Sequence, residues 1–134
     1  MDVRISSDLL QRIMADAAAW PDEICGLLFG TPEAIEATEP CRNVAADPHL
    51  RFEIDPAALI AAHRAARAGG PQLIGCYHSH PGGNPTPSPR DAADAAANGW
   101  LWLIVGSGQA RLFRAVACGA IHERFDAVDC SVSG

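Results

Sequence analysis

Residues 72–91 read QLIGCYHSHPGGNPTPSPRD, and this stretch holds a strand, a tight loop and a helix start in sequence. Residues 72–77 are a short apolar run flanked by Pro71 and a Pro/Gly loop, which predicts a buried strand rather than a helix. Ser88 is a good N-cap, Pro89 suits the first helical position and Asp91 falls at the third, so a helix is expected from Pro89 to about Ala97. His78 and His80 leave the strand one residue apart, and a bend between them aims both imidazoles at one point. Asp91 returns a carboxylate from the helix start. Two neutral imidazoles and a carboxylate are three ligands, the number that holds catalytic zinc while a fourth position stays open for water. Read alone, Ser-Pro-x-Asp is also an ordinary capping signal.

Downstream, Asn98-Gly99 break the helix, and Leu101-Trp102-Leu103-Ile104-Val105 is the most apolar strand, expected to be central. Residues 109–117 and 120–125 read as a closing hairpin around Cys118-Gly119. Residues 126–134 have little to bury and are expected to fray.

Upstream, residues 3–5 suit a short strand. Ser6 caps a helix whose Leu9, Leu10, Ile13, Met14, Ala17 and Ala18 recur at helical spacing, and Trp20-Pro21 stop it. An acidic opening, Asp22-Glu23, leads into the nearly unbroken apolar run Ile24-Cys25-Gly26-Leu27-Leu28-Phe29, a strand buried on both faces. Residues 34–38 alternate as a half-exposed strand should. Residues 40–48 read as loop and 49–54 as a further strand. Asp55-Pro56 start a helix that Gly69-Gly70 end, with His63 on its surface. Strands interleaved with three helices predict an α/β three-layer sandwich, a mixed central β-sheet with helices on both faces.

The 134 residues suit one domain, expected over residues 1–126 with 127–134 a flexible tail. No apolar run approaches the roughly 20 residues of a membrane helix, and residues 1–4 lack a signal peptide's character. A cytoplasmic protein without a membrane partner is expected. The net charge of −6, with no basic cluster, argues against nucleic acid. All ten basic residues are Arg, so the chain offers no lysine for isopeptide attachment of a carrier protein. Five cysteines, odd in number and never in Cys-x-x-Cys spacing, read as reduced thiols. Cys76 precedes His78 by two residues, but that spacing makes them same-face neighbours on a strand and does not orient a base at the sulfur.

His78-Ser79-His80, the seven-residue Pro/Gly loop 81–87 that opens with Pro81, and Ser88-Pro89-Arg90-Asp91 together resemble the zinc signature of the JAMM (MPN/Mov34, JAB-type) metalloproteases. Glu23-Ile24-Cys25-Gly26, with Gly30 four residues on, is similar to that family's second block, and the order of the two blocks agrees. The resemblance spans nearly the whole chain. It implies the MPN/JAB sandwich, related to cytidine deaminases, with one Zn²⁺ per chain held by His78, His80 and Asp91, Glu23 as general base and Ser88 as oxyanion donor.

It further implies hydrolysis of the amide after the C-terminal Gly-Gly of a ubiquitin-like protein. For so short a chain the expected substrate is a small sulfur carrier, released from an amino acid or a linked protein. Its tail is expected to add as a strand along an edge at residues 47–52. The alternatives are a non-catalytic MPN-type scaffold, whose signature is a broken ligand set, and a zinc hydrolase of small-molecule amides. The carrier, the leaving amine and the oligomeric state are not encoded in any motif.

Overall fold

The computed structural model describes residues 2–134. Strand β1 (Asp2–Ser6) runs into helix α1 (Ser7–Ala19), whose start is fixed by the Leu9 amide donating to Ser6 Oγ at 3.2 Å. The helix ends at Trp20, where Pro21 forbids continuation. Strands β2 (Cys25–Thr31) and β3 (Ala34–Cys41) form an antiparallel hairpin. Helix α2 (Pro56–Arg67) is capped by Asp55, which accepts from the Ala57 amide at 3.0 Å. Then follow β4 (Leu73–Ser79), α3 (Pro89–Asp94), β5 (Leu101–Gly106), β6 (Gln109–Gly119) and β7 (Glu123–Ser133).

The strands are ordered β1-β3-β2-β4-β5-β6-β7, and β1 also pairs in parallel with β7, so the sheet closes on itself. The sheet is mixed, as expected: β4 is antiparallel to β2 and parallel to β5. One face buries Val3, Ile5, Leu28, Tyr77, Leu101 and Leu103 against the apolar stripe of α1 around Ile13. The other packs Leu27, Cys76, Trp102, Ile104 and Phe125 against α2 through Leu59 and Ala62, against α3 through Ala92, and against Ala95 just beyond it. Helices on both faces of a mixed sheet make the three-layer α/β arrangement expected from the sequence. No helix among the described residues is long and apolar enough to cross a membrane.

Four expectations need correction. Residues 49–54 are not a strand: apart from a single bridge between Asn43 and Ile54 they form turn and loop, because Asn43 draws their backbone inward. Residues 47–52 therefore offer no free edge, and the closed sheet leaves none beside them. Residues 127–133, expected to be a loose tail, continue β7, since parallel pairing with β1 satisfies their backbone and Val128 and Cys130 pack on the α1 side. Helix α3 stops at Asp94, as Ala95 already has extended backbone. Strand β5, as expected, lies inside the sheet between β4 and β6 with every residue buried.

Candidate active site

The register of β2 on β4 assembles the site. Cys25 pairs with His78, and beyond the ladder the Ser79 amide donates to the Ile24 carbonyl (3.1 Å) while the Ile24 amide donates to Ser79 Oγ (2.9 Å). That pair of hydrogen bonds sets the segment carrying Glu23 beside the end of β4, next to His80. Gly26 has a packing reason as well: a Cβ there would run into the Tyr77 ring. At the other edge of β4, the His80 amide donates to the Val105 carbonyl at 2.7 Å and keeps the strand end in place.

Three donor atoms converge. His78 Nε2 and His80 Nε2 lie 3.1 Å apart, and Asp91 Oδ2 is 3.2 Å from the first and 3.1 Å from the second. The Glu23 carboxylate completes a group with the same two imidazoles, all within 4.8 Å of one another. His78 is fully buried, and Asp91 and Glu23 are 5 % and 6 % exposed. The residues expected at the site are thus brought together from three places in the chain: the segment before β2, the end of β4 and the start of α3.

The supporting contacts define which atoms are free. His80 Nδ1–H donates to the Asn84 carbonyl at 2.9 Å, which leaves a lone pair on Nε2 in the neutral ring. His78 lies flat against Phe52, ring centroids 4.2 Å apart, with Trp102 edge-on at 5.6 Å, and its Nδ1 is buried without a partner. Burial pushes the His78 ring below its ordinary pKa. For His80 burial is again the largest effect and acts in the same direction, but the contacts with Asp91, Asn84 and Glu23 together outweigh it and the net shift is upward. Burial also opposes ionisation of Asp91, yet contacts from both imidazoles and the Ser88 amide hold it far below the usual carboxylate range. Two imidazole nitrogens with their lone pairs facing one carboxylate oxygen repel unless a cation lies between them.

These residues fit a metal ion. Ligands about 2.0–2.1 Å from a tetrahedral ion of zinc's kind stand roughly 3.3 Å from one another. The three observed separations of 3.1–3.2 Å need only a slight opening to reach that geometry.

Glu23 differs from Asp91. Burial raises its pKa to about 7, with His80 opposing and Asp91 and Asp47 reinforcing. Its backbone is held on both sides, because its amide donates to the Pro48 carbonyl at 2.8 Å and its carbonyl accepts from Asn43 Nδ2 at 2.9 Å. Ser88 and Asp91 form a reciprocal cap in which the Asp91 amide donates to Ser88 Oγ at 3.0 Å and the Ser88 amide donates to Asp91 Oδ2 at 2.9 Å. Since the cap uses only a lone pair of Ser88 Oγ, its proton stays free to be donated elsewhere. Glu23, His80, Ser88 and Asp91 share the walls of a cleft of about 280 Å³ with Leu50, Arg51 and Arg90.

Sequence reasoning missed four supporting residues. Asn43 ties the loop to Glu23, Phe52 covers His78, Ser79 locks the two strands, and His122 donates from Nε2 to the Pro87 carbonyl at 3.1 Å beside Ser88. Only Ser79, enclosed by the two histidines, carried a local signal. Cys76 is buried, and burial drives its thiol well above its ordinary pKa, in agreement with a core role.

Comparison with known proteins agrees with this geometry. The family described as prokaryotic homologs of the JAB domain matches residues 6–119. A desampylase of Haloferax volcanii is 38 % identical over 86 residues, covering 63 % of this chain and 62 % of that one. A probable TtuB-protein conjugate cleaving protease of Thermus thermophilus is 38 % identical over 95 residues, 69 % of this chain and 62 % of that one. The chain thus spans somewhat under two thirds of the length of these two relatives. For a desampylase of Pyrococcus furiosus the figures are 30 % over 101 residues, 75 % and 71 %. Among solved structures, a protein from Desulfitobacterium hafniense superimposes with TM-score 0.80 at 24 % identity, covering 99 % of this chain and 93 % of that one. A JAB1/MPN domain protein from Archaeoglobus fulgidus does so with TM-score 0.61 at 21 % identity, covering 98 % and 97 %. These likenesses show the fold, and together with the match over residues 6–119 they establish that the chain belongs to the prokaryotic JAB-domain family.

Proposed function

We propose that this protein is a zinc-dependent peptidase or isopeptidase that hydrolyses the amide bond after the C-terminal Gly-Gly of a ubiquitin-like or sulfur-carrier protein. The observation that carries the reading is the meeting of His78, His80 and Asp91 within 3.2 Å of one another, beside a buried Glu23 whose proton affinity lies near neutrality. The names of the Haloferax, Thermus and Pyrococcus relatives support the substrate class. Five free thiols suit a reducing cytoplasm, where such carriers would be met.

In this reading His78, His80 and Asp91 hold one Zn²⁺ per chain. Bound zinc supplies Lewis acidity and lowers the pKa of water in its open position to about 7. Glu23 takes a proton from the attacking water and later delivers it to the departing amine, a task for which a pKa near the working pH is best. Ser88 donates its free hydroxyl proton to the developing oxyanion while its lone pair continues to cap α3. Asn84 keeps His80 in the tautomer whose Nε2 lone pair faces Asp91. Next to the site, Phe52, Ile54, Leu59, Trp100 and Trp102 wall a slot of about 400 Å³. That slot, rather than a sheet edge, receives the extended tail.

Mass spectrometry of the purified protein mixed with a Gly-Gly-tailed carrier joined to an amine tests the reading. The expected product is the free carrier ending in Gly-Gly, absent when a chelator is added. Cleavage of small amides with the carrier conjugate left intact would point instead to a small-molecule hydrolase, and binding without any cleavage to a scaffold.

A further inference from the structure

A further cavity, of about 420 Å³, lies between the end of α1 and the β2–β3 hairpin and shares with the catalytic cleft only the Glu23 wall. Its floor follows from the strand register. Tyr77, Gly26 and Pro40 stand side by side on β4, β2 and β3, and because Gly26 has no side chain the Tyr77 ring lies across β2 with its hydroxyl end over Gly26, toward β3. Tyr77 lines the cavity although it is only 1 % exposed, and its hydroxyl makes no hydrogen bond among the described residues. A buried phenol without a partner is a polar group that folding alone leaves unsatisfied.

The walls are negative. Asp16, Asp22 and Glu23 line the cavity, and among the described residues Arg42 is the one cation beside them. Asp16 sits in the last turn of α1, where the helix dipole disfavours an acid and no basic residue compensates it, and neither Asp16 nor Asp22 has an ion pair among the described residues. Burial first, and then Asp16, the thiols of Cys41 and Cys25, and Glu39, push the Tyr77 phenol above its ordinary pKa, so it stays neutral in a negative field with an oxygen that can accept from a cation. At the rim Trp20 stands 63 % exposed. We propose that this cavity is a second binding site, which takes an arginine side chain from a basic segment of a partner polypeptide, with Asp16, Asp22 and the Tyr77 oxygen on the guanidinium and Trp20 on the stem. Several donors in one planar group reach two carboxylates and a phenol at once, and the same group stacks on an indole. A free small cation would leave the Trp20 ring wet, whereas a polypeptide covers it, and exposed Trp is enriched among the anchors of protein interfaces. The chain's net charge of −6 attracts the same partner at longer range. The site stands apart from the hydrolase reading, since Asp16, Trp20, Asp22 and Tyr77 are neither proposed ligands nor proposed proton carriers.

Isotope-labelled protein titrated with acetyl-Gly-Ala-Arg-Ala-Gly-amide, and with its norleucine and glutamate counterparts, tests the proposal through amide shifts in NMR spectra. The arginine peptide is expected to bind about tenfold more tightly than the norleucine one, the scale of one hydrogen bond to a charged group. It should move the amides of Asp16, Trp20 and Asp22, and do so alike in zinc-supplemented and chelated protein. Asp16→Asn, at an exposed position of α1, should cut the preference to about threefold. Tyr77→Phe should weaken arginine binding by about threefold and leave the thermal melt no lower, because the hydroxyl it removes had no partner. Equal affinity for the arginine and norleucine peptides, tighter binding of the glutamate peptide, shifts confined to the catalytic cleft, or a preference unaltered in both variants overturns the proposal. Free propylguanidinium binding as tightly as the arginine peptide overturns it too, and would make the cavity a site for small cations.

Discussion

At the scale of single residues, two carboxylates lining one cleft are set in opposite directions by their neighbours. Asp91 lies against two imidazoles, accepts from the Ser88 amide and stays ionised, while Glu23 is buried with too few donors and shifts to about 7. The shift has a consequence for stability that can be signed. Below pH 4.5 Glu23 is protonated in folded and unfolded chains alike. Between 4.5 and about 7 the unfolded chain loses that proton while the folded one keeps it, so stability falls as pH rises, and above about 7 the loss is complete. Its size is on the order of 2–3 kcal/mol. In chelator, Glu23→Gln should therefore raise the unfolding midpoint at pH 8 and leave it nearly unchanged at pH 4, and an equal effect at both would contradict the burial argument. With zinc present the same variant should keep stoichiometric metal by elemental analysis and lose about 10²–10⁴ in turnover. Ser88→Ala removes both the free donor and the cap. A loss of about 10²–10³ in kcat, with metal retained and stability lower by about 1 kcal/mol, is the expected result of kinetics and denaturant titration.

At the scale of elements, the loop between β3 and α2 looks irregular but is tied down at one side chain. Asn43 donates to the carbonyls of Glu23 and Arg51 and accepts from the amides of Ala45 and Glu53, at 2.9–3.1 Å. Its carboxamide fixes the loop that lines the cleft and the segment that carries the proposed base. Asn43→Ala leaves several of these backbone groups unpaired, and chemical denaturation should show about 2–3 kcal/mol of destabilisation. Turnover should fall further than metal content does, since His78, His80 and Asp91 lie on other elements. If metal and turnover fell together, the loop would be holding the ligands instead of the base. A local reading could not have found this hub, because its partners lie up to 20 residues away.

At the scale of the whole molecule, β7 closes the sheet by running parallel to β1, from Asp2 opposite Asp129 to Ser6 opposite Ser133. A chain ending at residue 126 would expose the edge of β1, the strand that leads into α1. It should lose cooperative unfolding in a thermal melt and bind metal poorly, although no proposed ligand is removed; full metal binding with an unchanged melt would show that the closure is dispensable.

The sequence by itself determined the helix starts at Ser6, Asp55 and Ser88, the strand that carries His78 and leads directly into His80, and the α/β class, because caps, proline stops and apolar periodicity are local. The site residues were legible as a set because their spacing resembles a known family's, not because local chemistry required it. Only the tertiary structure decided that residues 47–52 form a tied loop instead of an edge, that residues 127–133 are strand, and that Phe52, Asn43 and His122 support the site. Each of these depends on partners distant in the chain: a polar segment such as 126–133 has no reason to be extended until β1 lies beside it and satisfies its backbone.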